Sequence, residues 1–361
     1  MKKGWEVKTL GEICEVLDSK RKPITKRDRI AGEYPYYGAT GILDYVHQFI
    51  FDEKLVLIGE DGAKWESGEY TAFIAEGKYW VNNHAHVIRP NRAIVLDEWI
   101  VYFLYVSDLH KYVTGLTVPK LNQEKMRSIS IPLPPLPEQK RIVSLLDECF
   151  AALAQVHANA GRNLVNAREV FESELNVIFG NGKDWEEKTL GEVAENLDSK
   201  RIPVTKRDRK EGKYPYYGAS GIVDYVDKFI FDENLLLVSE DGANLLARTY
   251  PIAFSISGKT WVNNHAHVLR FEKMETQKFI EYYLNSISLD EYVSGMAQPK
   301  LNQAMLNSIP VHLPPLGEQS AIVARLDGLA RETRRLEAVY RQKVEDVEEL
   351  RKTILKSIFQ T

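Results

Sequence analysis

Two histidines stand two residues apart in the segment WVNNHAHV, which occurs twice, from Trp80 to Val87 and from Trp261 to Val268. Residues two apart share one face of a β-strand, so each pair could bind a metal ion. A metal site needs further ligands, and no repeated Asp, Glu or Cys is obviously spaced to supply them, so we predict no metal. The asparagines and the first histidine either contact DNA bases or satisfy buried polar groups. These candidates are Asn82, Asn83 and His84, with Asn263, Asn264 and His265 in the second copy.

A basic segment also occurs twice, as DSKRKPITKRDR from Asp18 to Arg29 and as DSKRIPVTKRDRK from Asp198 to Lys210. The chain has a net charge of −4, so any surface for nucleic acid must be local. A basic loop suits phosphate binding, and a solvated loop is the alternative. The candidate DNA contacts are Lys20, Arg21, Lys22, Lys26, Arg27 and Arg29, with Lys200, Arg201, Lys206, Arg207 and Arg209.

Two further repeated segments supply candidate DNA contacts. YPYYGA offers tyrosines that either contact sugar and base or lie half-buried in a strand, and PKLNQ offers a lysine in each copy. These residues are Tyr36, Tyr37 and Lys120 in the first copy and Tyr216, Tyr217 and Lys300 in the second.

Signs of catalysis are weak. P-loop, dinucleotide-binding and nucleophile-elbow patterns are absent from the sequence. The segment GEDGAKW suggests a carboxylate–lysine nuclease site, but Lys64 is replaced by Asn244 in the second copy. The two cysteines, Cys14 and Cys149, are not repeated, which argues against a disulfide framework. We therefore predict a non-catalytic protein.

The repeats keep nearly one offset. Trp5 and Trp185 begin equivalent segments 185 − 5 = 180 residues apart, and one residue is gained before Trp261 and lost again later. Each half combines strand patterns such as FIFDEKLVLIG with helical patterns such as DEWIVYFLYV, which predicts a mixed α/β globule. A proline-rich segment then leads into a long stretch with almost no Gly or Pro. We predict globules over 1–135 and 181–315 and helices over 136–180 and 316–361.

Apolar residues in both tails alternate by three and four, which is typical of a coiled coil. The seam positions include Ile142, Leu146, Leu153 and Val156, and Ile322, Leu326, Leu336 and Leu350. We predict an α+β protein in which a long antiparallel two-helix coiled coil separates two globules with pseudo-two-fold symmetry. The alternative is that each helix packs on its own globule. Antiparallel pairing would present the globules to a duplex in inverted orientation.

The order of these motifs resembles the specificity subunits of type I restriction–modification enzymes. Each half opens with W-x-x-K-T-L-G-E and closes with PKLNQ and PLPPL-x-EQ before a long helix, and the resemblance covers essentially the whole chain. It implies that each globule recognises double-stranded DNA and that the helices dock two methyltransferase subunits. Those partners would bring S-adenosylmethionine to methylate adenine N6, and restriction subunits would cut DNA using ATP and Mg²⁺. This chain itself would bind no cofactor.

The two globules are closer to each other than is usual in that family, so we expect two similar or identical, inverted half-sites. Base-reading residues in the most divergent segments, 64–79 and 244–260, would make the half-sites differ. Three alternatives stay open: a specificity protein of a combined restriction–methylation enzyme, a coiled-coil scaffold that binds protein or carbohydrate, and an enzyme built on the paired histidines. No signal peptide or membrane-spanning run is seen, which predicts a cytoplasmic location.

Overall fold

The computed structural model describes residues 4–115, 117, 119–181, 185–295 and 298–359. The chain forms two compact units, one of Met1–Gly161 with Arg341–Thr361 and one of Arg162–Tyr340. Each unit therefore contains part of both long helices. Among the described helices, none is both long and apolar enough to cross a membrane.

Within its described residues, unit 1 contains ten strands, three short or medium helices, the start of the first long helix and the end of the second. The strands are Glu6–Thr9 (β1), Cys14–Val16 (β2), Ala31–Gly38 (β3), Gly41–Val46 (β4), Phe51–Asp52 (β5), Leu55–Gly59 (β6), Ala72–Ala75 (β7), Lys78–Val81 (β8), Ala85–Pro90 (β9) and Ser130–Leu133 (β10). The helices are Leu10–Ile13 (α1), Asp97–Val106 (α2), Gln123–Arg127 (α3) and Leu136–Gly180 (α4).

The described strands of unit 1 form two four-stranded sheets and one separate strand pair. The strand orders are β2-β9-β6-β7 and β4-β3-β8-β5, and β1 pairs with β10. All pairings are antiparallel except that of β3 with β8, where Tyr36 lies opposite Trp80. The parallel pairing places the YPYYGA and WVNN segments side by side.

Strand β6 is buried on both faces, which explains its continuous apolar run LVLIG. Leu55 and Leu57 join one core cluster with Tyr79. Val56 and Ile58 face the other way, into the core that includes helix α2. The period of two along a strand thus divides one apolar run between two cores.

Unit 2 repeats this architecture. Its strands are Glu186–Thr189 (β11), Glu195–Asn196 (β12), Glu211–Gly218 (β13), Gly221–Val226 (β14), Phe231–Asp232 (β15), Leu235–Ser239 (β16), Ala253–Ile256 (β17), Lys259–Val262 (β18), Ala266–Arg270 (β19), Val293–Ser294 (β20), Lys300–Leu301 (β21) and Pro310–Leu313 (β22). Its helices are Leu190–Val193 (α5), Asn244–Ala247 (α6), Met274–Ser286 (α7), Gln303–Asn307 (α8) and Leu316–Phe359 (α9). The sheet orders β12-β19-β16-β17 and β14-β13-β18-β15 match those of unit 1.

The repeated T-L-G-E motif is a helix cap. The backbone N–H and hydroxyl of Thr9 both donate to the Glu12 carboxylate, at 2.6 and 2.8 Å. Thr189 and Glu192 do the same in unit 2. These bonds lower the pKa of Glu12, because its charged form accepts both of them. The motif therefore fixes the first turn of each globule.

The repeated PLPPL-x-EQ motif ties each long helix to its globule. Buried Gln139 donates to the carbonyl of Pro134 at 2.8 Å and accepts the N–H of Leu96 at 3.0 Å. In unit 2, Gln319 donates to Pro314 at 2.7 Å and accepts the hydroxyl of Thr276. An amide can donate and accept at once, so one side chain joins the proline turn to the globule.

Within each unit the segments of α4 and α9 run antiparallel. In unit 2, Glu174 pairs with Arg325 at 2.6 Å and Arg168 pairs with Glu337, so the numbering rises along one helix as it falls along the other. In unit 1, Phe150 lies under Arg351, while Leu146 shares a core with Phe359. The predicted antiparallel helix pair and the two mixed α/β globules are thus confirmed.

The heptad positions need two corrections. Leu326 is fully buried, but Ile142 and Leu146 join the core of the first globule. Val156 and Leu350, predicted in the seam, are both 46% exposed. An α-helix turns by about 100° per residue. Viewed down the helix axis, Val156 is therefore rotated by roughly 80° from the buried Leu146, and Leu350 by roughly 140° from the buried Leu355. A strict heptad pattern does not predict burial along an α-helix whose two ends must pack against globular cores.

The other three seam positions are partly buried. Leu153 and Ile322 pack against the cores of their units, and Leu336 is half-buried. Both of our alternatives therefore hold in part, because the helices pair and also pack on the globules. The boundaries that we drew along the sequence at 135, 180 and 315 stay a prediction.

We predict that Leu326→Ala lowers the free energy of unfolding by about 2–5 kcal/mol, because it removes a fully buried side chain. Leu350→Ala, a change of the same type on the same helix, should cost under about 1 kcal/mol, because Leu350 is exposed. Urea unfolding followed by circular dichroism measures both. Equal losses for the two variants would contradict the assigned packing.

Candidate nucleic-acid interface

A buried ion-pair network lies at the base of the basic segment. Arg21 Nη1 lies 2.5 Å from Glu60 Oε2, and Arg21 Nη2 lies 3.4 Å from Asp18 Oδ2. The side chains of Arg21 and Glu60 are only 13% and 11% exposed. Arg21 also donates to the carbonyl of Ala85 at 2.7 Å. Three sequence-distant segments are thereby joined through one guanidinium.

His86 and Lys120 complete the network. His86 is fully buried, with Nδ1 2.6 Å from Asp18 Oδ2 and Nε2 2.7 Å from the carbonyl of Leu121. Lys120 Nζ lies 2.9 Å from Glu60 Oε1. The network therefore collects one or more residues from each of the repeated segments DSKR, EDGA, NNHAHV and PKLNQ.

Unit 2 contains the same network. Arg201 pairs with Glu240 at 2.5 Å, and His267 Nδ1 lies 2.5 Å from Asp198 Oδ2. Lys300 Nζ lies 3.1 Å from Glu240 Oε1. Two copies with the same partners at nearly the same distances show that the arrangement is a property of the repeated motifs.

The charges in this network shift the pKa of its carboxyl groups. Burial by itself raises the pKa of Asp18, but hydrogen bonds and positive charge from His86, with the amide of Gln123, outweigh it and lower the pKa. Burial likewise raises the pKa of Glu60, and the bonds from Arg21 and Lys120 reverse that effect. The carboxylates are therefore held in their charged form by their partners.

Asp18, Glu60 and His86 also have the ligand types and spacing of a metal site, since their donor atoms lie within 4.8 Å of one another. The sequence spacing did not reveal these repeated carboxylates as neighbours of the histidines, because only folding brings them together. However, both oxygens of Glu60 already accept hydrogen bonds from Arg21 and Lys120. A divalent ion would have to approach two cations, so the donor set fits an ion-pair network better than a metal.

The basic loop is anchored to the sheet at both ends. Near its start, Trp80 Nε1 donates to the carbonyl of Lys22 at 2.5 Å. Near its end, Arg29 bonds Asp44 at 3.2 Å and stacks over Tyr36, with Cζ 4.4 Å from the ring centroid. Unit 2 repeats these contacts through Trp261, Arg209, Asp224 and Tyr216. The residues between the anchors are presented to solvent by a fixed frame.

Several predicted DNA contacts turn out to be part of this frame, so we correct their assignment. Tyr36 is 1% exposed, and its hydroxyl accepts the N–H of Ile24. Asn82 is buried, and its side-chain oxygen accepts the N–H of His84. Arg21 and Arg29 have side chains only 13% and 17% exposed, with their charges paired. The same correction applies to Tyr216, Asn263, Arg201 and Arg209.

The remaining candidates stay predictions. Tyr37 and Tyr217 are half-buried, and burial raises the pKa of both. Lys120 and Lys300 pair with glutamates but have side chains 43% and 54% exposed. Exposed candidates are Lys20, Lys22, Lys26, Arg27, Asn83 and His84, with Lys200, Lys206, Arg207, Asn264 and His265.

The acidic residues that hold the site were not predicted from the sequence. Asp18 and Glu60 bind Arg21, and Asp61 binds the exposed His84 through Nδ1. A signal was present, since each of these carboxylates recurs in the second half. Their partners lie tens of residues away in sequence, so the motifs alone do not reveal which charges meet.

Comparison with protein families decides the relationship. A family model described as "Type I restriction modification DNA specificity domain" matches residues 2–160 and 182–346. The chain belongs to this family. The two matches cover both repeats, which confirms the resemblance inferred from the motifs.

Individual relatives agree with this assignment. The chain is 27% identical over 345 residues to a putative type I restriction enzyme specificity subunit of Haemophilus influenzae, covering 89% of this chain and 86% of the relative. It is 22% identical over 404 residues to the MjaVIII specificity subunit of Methanocaldococcus jannaschii, covering 97% and 91%.

Solved structures show the same fold. One chain from a study of complex assembly and conformational transition of the type I restriction–modification system matches with a TM-score of 0.74 and 19% identity, over 99% of this chain and 97% of that chain. The HsdS subunit of Thermoanaerobacter tengcongensis matches with a TM-score of 0.60 and 18% identity, over the same shares.

We predict that the stability of this specificity protein falls steeply in acid. Folding lowers the pKa of Asp18 and Glu60 below their ordinary values of 3.8 and 4.5, so as pH falls the unfolded chain takes up protons first. Their contribution is complete above about pH 5 and is lost as pH falls through the folded pKa values. Urea unfolding between pH 3 and pH 6 measures the slope.

Asp18→Asn with Asp198→Asn should flatten that slope, because two of the responsible groups no longer titrate. The matched control is Asp28→Asn with Asp208→Asn, at side chains 55% and 57% exposed. An unchanged slope in the first double variant would show that the buried carboxylates do not govern acid stability.

Proposed function

We propose that this chain is a non-catalytic subunit that reads a bipartite DNA target with two similar, inverted half-sites. The observation that carries the proposal is the duplicated basic loop, which the same ion-pair network anchors in each unit. The loop leaves Lys26 and Arg27 of unit 1, and Lys206 and Arg207 of unit 2, exposed to solvent. The side chains of Arg27 and Arg207 are 92% and 93% exposed. Fixed, exposed cations suit the phosphates of a duplex.

The inverted orientation rests on the antiparallel direction of the helix segments seen in each unit. The expectation that the half-sites are similar rests on the nearly identical ion-pair networks and loop contacts of the two globules. The spacing between the half-sites would be set by the helices. The cytoplasmic location and the restriction subunits stay predictions.

The long helices are proposed to dock two adenine-N6 methyltransferase subunits. Apolar residues on them are exposed to solvent, a feature typical of partner surfaces. These residues include Leu145, Val165, Val170 and Val177 on α4 and Val339 and Leu350 on α9. In this proposal S-adenosylmethionine, ATP and Mg²⁺ belong to the partner subunits.

We expect Lys26→Ala and Arg27→Ala, combined with Lys206→Ala and Arg207→Ala, to weaken binding to all duplex sequences alike. The slope of log K against log salt should fall in magnitude by about 0.9 for each phosphate contact removed. Fluorescence anisotropy at several salt concentrations measures it. Lys140→Ala, at an exposed lysine on α4, is the control. A change in sequence preference instead would assign these residues to bases.

Methylome sequencing tests the target itself. Cells that express this chain with its methyltransferase should carry N6-methyladenine in a bipartite motif whose halves are alike and inverted. Two unrelated halves, or halves in the same orientation, would refute the proposed geometry. Methylation that does not depend on this chain would refute its role as the reader.

A further inference from the structure

Each unit exposes large apolar side chains on one hairpin. Ile42, Leu43 and Tyr45 of β4 are 47%, 52% and 50% exposed, and their counterparts Ile222, Val223 and Tyr225 of β14 are 47%, 51% and 50% exposed. Exposed apolar residues scattered singly need no explanation. Three within four residues, at matching positions and with matching exposure in both units, indicate a functional surface.

A β-bulge explains why neighbouring residues are exposed together. Tyr36 lies opposite Asp44 and Tyr37 lies opposite Ile42, so Leu43 has no partner across the ladder. Val223 is skipped in the same way in unit 2. A bulge interrupts the alternation of faces and re-aims one side chain. Both hairpins therefore present an extra apolar residue next to their two-residue turns.

The hairpin and the basic loop form one surface. Asp44, next to Leu43, binds Arg29 at the end of the loop. Leu43 lies across Gly38, where a Cβ would be 2.4 Å from Leu43 Cδ1 and 3.4 Å from the side-chain nitrogen of Asn82. The exposed Asn83 and His84 follow Asn82 directly. Fixed cations, apolar side chains and polar groups thus occupy neighbouring positions.

This combination favours DNA over a protein partner as the occupant. The exposed cations beside the hairpin, Lys26 and Arg27, recur as Lys206 and Arg207 and match the charge of a duplex. A two-stranded ribbon fits the major groove, where the C5 methyl of thymine is the apolar group that an aliphatic side chain can recognise. The exposed leucines and valines of the long helices offer a separate surface for protein partners.

We propose that Ile42 and Leu43, with Ile222 and Val223, contact thymine methyl groups and so read an A·T base pair in each half-site. This inference rests on the proposed function, because it assigns a base contact within the same DNA-reading surface. Since Ile42 and Ile222 are identical, the base pair that they contact should be the same in both halves.

Uracil substitution tests the contact. In duplexes that carry the motif found by methylome sequencing, each thymine is replaced in turn by deoxyuridine, which removes one methyl group. The full-length wild-type chain should lose about fourfold in affinity at one position of each half-site, as expected for one buried methyl-sized group. Ile42→Ala with Ile222→Ala, or Leu43→Ala with Val223→Ala, should bind both duplexes equally.

Two further variants sharpen the result. Gly38→Ala should displace Leu43 and abolish discrimination in the first half-site, whereas Gly218→Ala should have a weaker effect, since its Cβ would lie 3.1 Å from Val223. Val7→Ala removes an exposed valine from strand β1 and should leave discrimination intact. Circular dichroism confirms that each variant is folded, including those at the buried Gly38 and Gly218.

The outcomes separate the two proposals. A wild-type chain that binds no duplex would reject the proposed function itself. Binding that is insensitive to uracil at every thymine, or discrimination that persists in both hairpin double variants, would reject the reading role alone. Hairpin variants that keep discrimination but no longer co-purify with the methyltransferase would assign this surface to protein docking and overturn the inference.

Discussion

The pairing of the largely buried Arg21 with Glu60 and Asp18, repeated by Arg201 with Glu240 and Asp198, is the constraint on which each globule depends. Removing charges from water costs several kcal/mol per ion, and only close, hydrogen-bonded partners offset that cost. Loss of one partner would leave an uncompensated charge in the core. The segments that contribute Asp18, Glu60, His86 and Lys120 must therefore assemble together. The position of the basic loop follows from this assembly, so the same interaction that stabilises the fold also places the solvent-exposed cations Lys26 and Arg27.

Beside this shared ion-pair network, the two units bind the C-terminal carbonyls of equivalent helices, α2 and α7, by different contacts. In unit 1, Gly68 donates its N–H to the carbonyl of Tyr105, and buried Trp65 joins the core. In unit 2, Arg248 adopts a left-handed φ of 51° and donates to the carbonyls of Leu284 and Ile287 at the end of α7. Both solutions satisfy a helix C-terminus. The segments that diverge most between the repeats are therefore held by different contacts on equivalent scaffolds, which lets them vary without disturbing the ion-pair frame.

The long helices belong to the globules as much as to each other. Phe359, near the end of α9, packs against Trp99, with ring centroids 4.7 Å apart, and Phe179, near the end of α4, packs against Phe279 at 5.3 Å. Gln139 and Gln319 fix the opposite ends. A helix held in this way at both ends cannot keep one uniform apolar stripe. The resulting exposed valines and leucines are available to a partner.

The amino-acid sequence was sufficient to predict the duplication, the α/β character of the globules, the two long helices and the family, because periodicity, turn residues and repeated motifs act locally or can be compared within one chain. It also located the basic loop. Which of its charges face solvent became clear from the fold, in which Arg21 and Arg29 pair with Glu60 and Asp44 while Lys26 and Arg27 are exposed. The fold also shows that Tyr36 is buried and that the apolar side chains of the hairpin are exposed. Burial and ion pairing depend on contacts between residues that are far apart in sequence. The same residue type can therefore lie in the core or on the surface, according to the partners that the fold brings close to it.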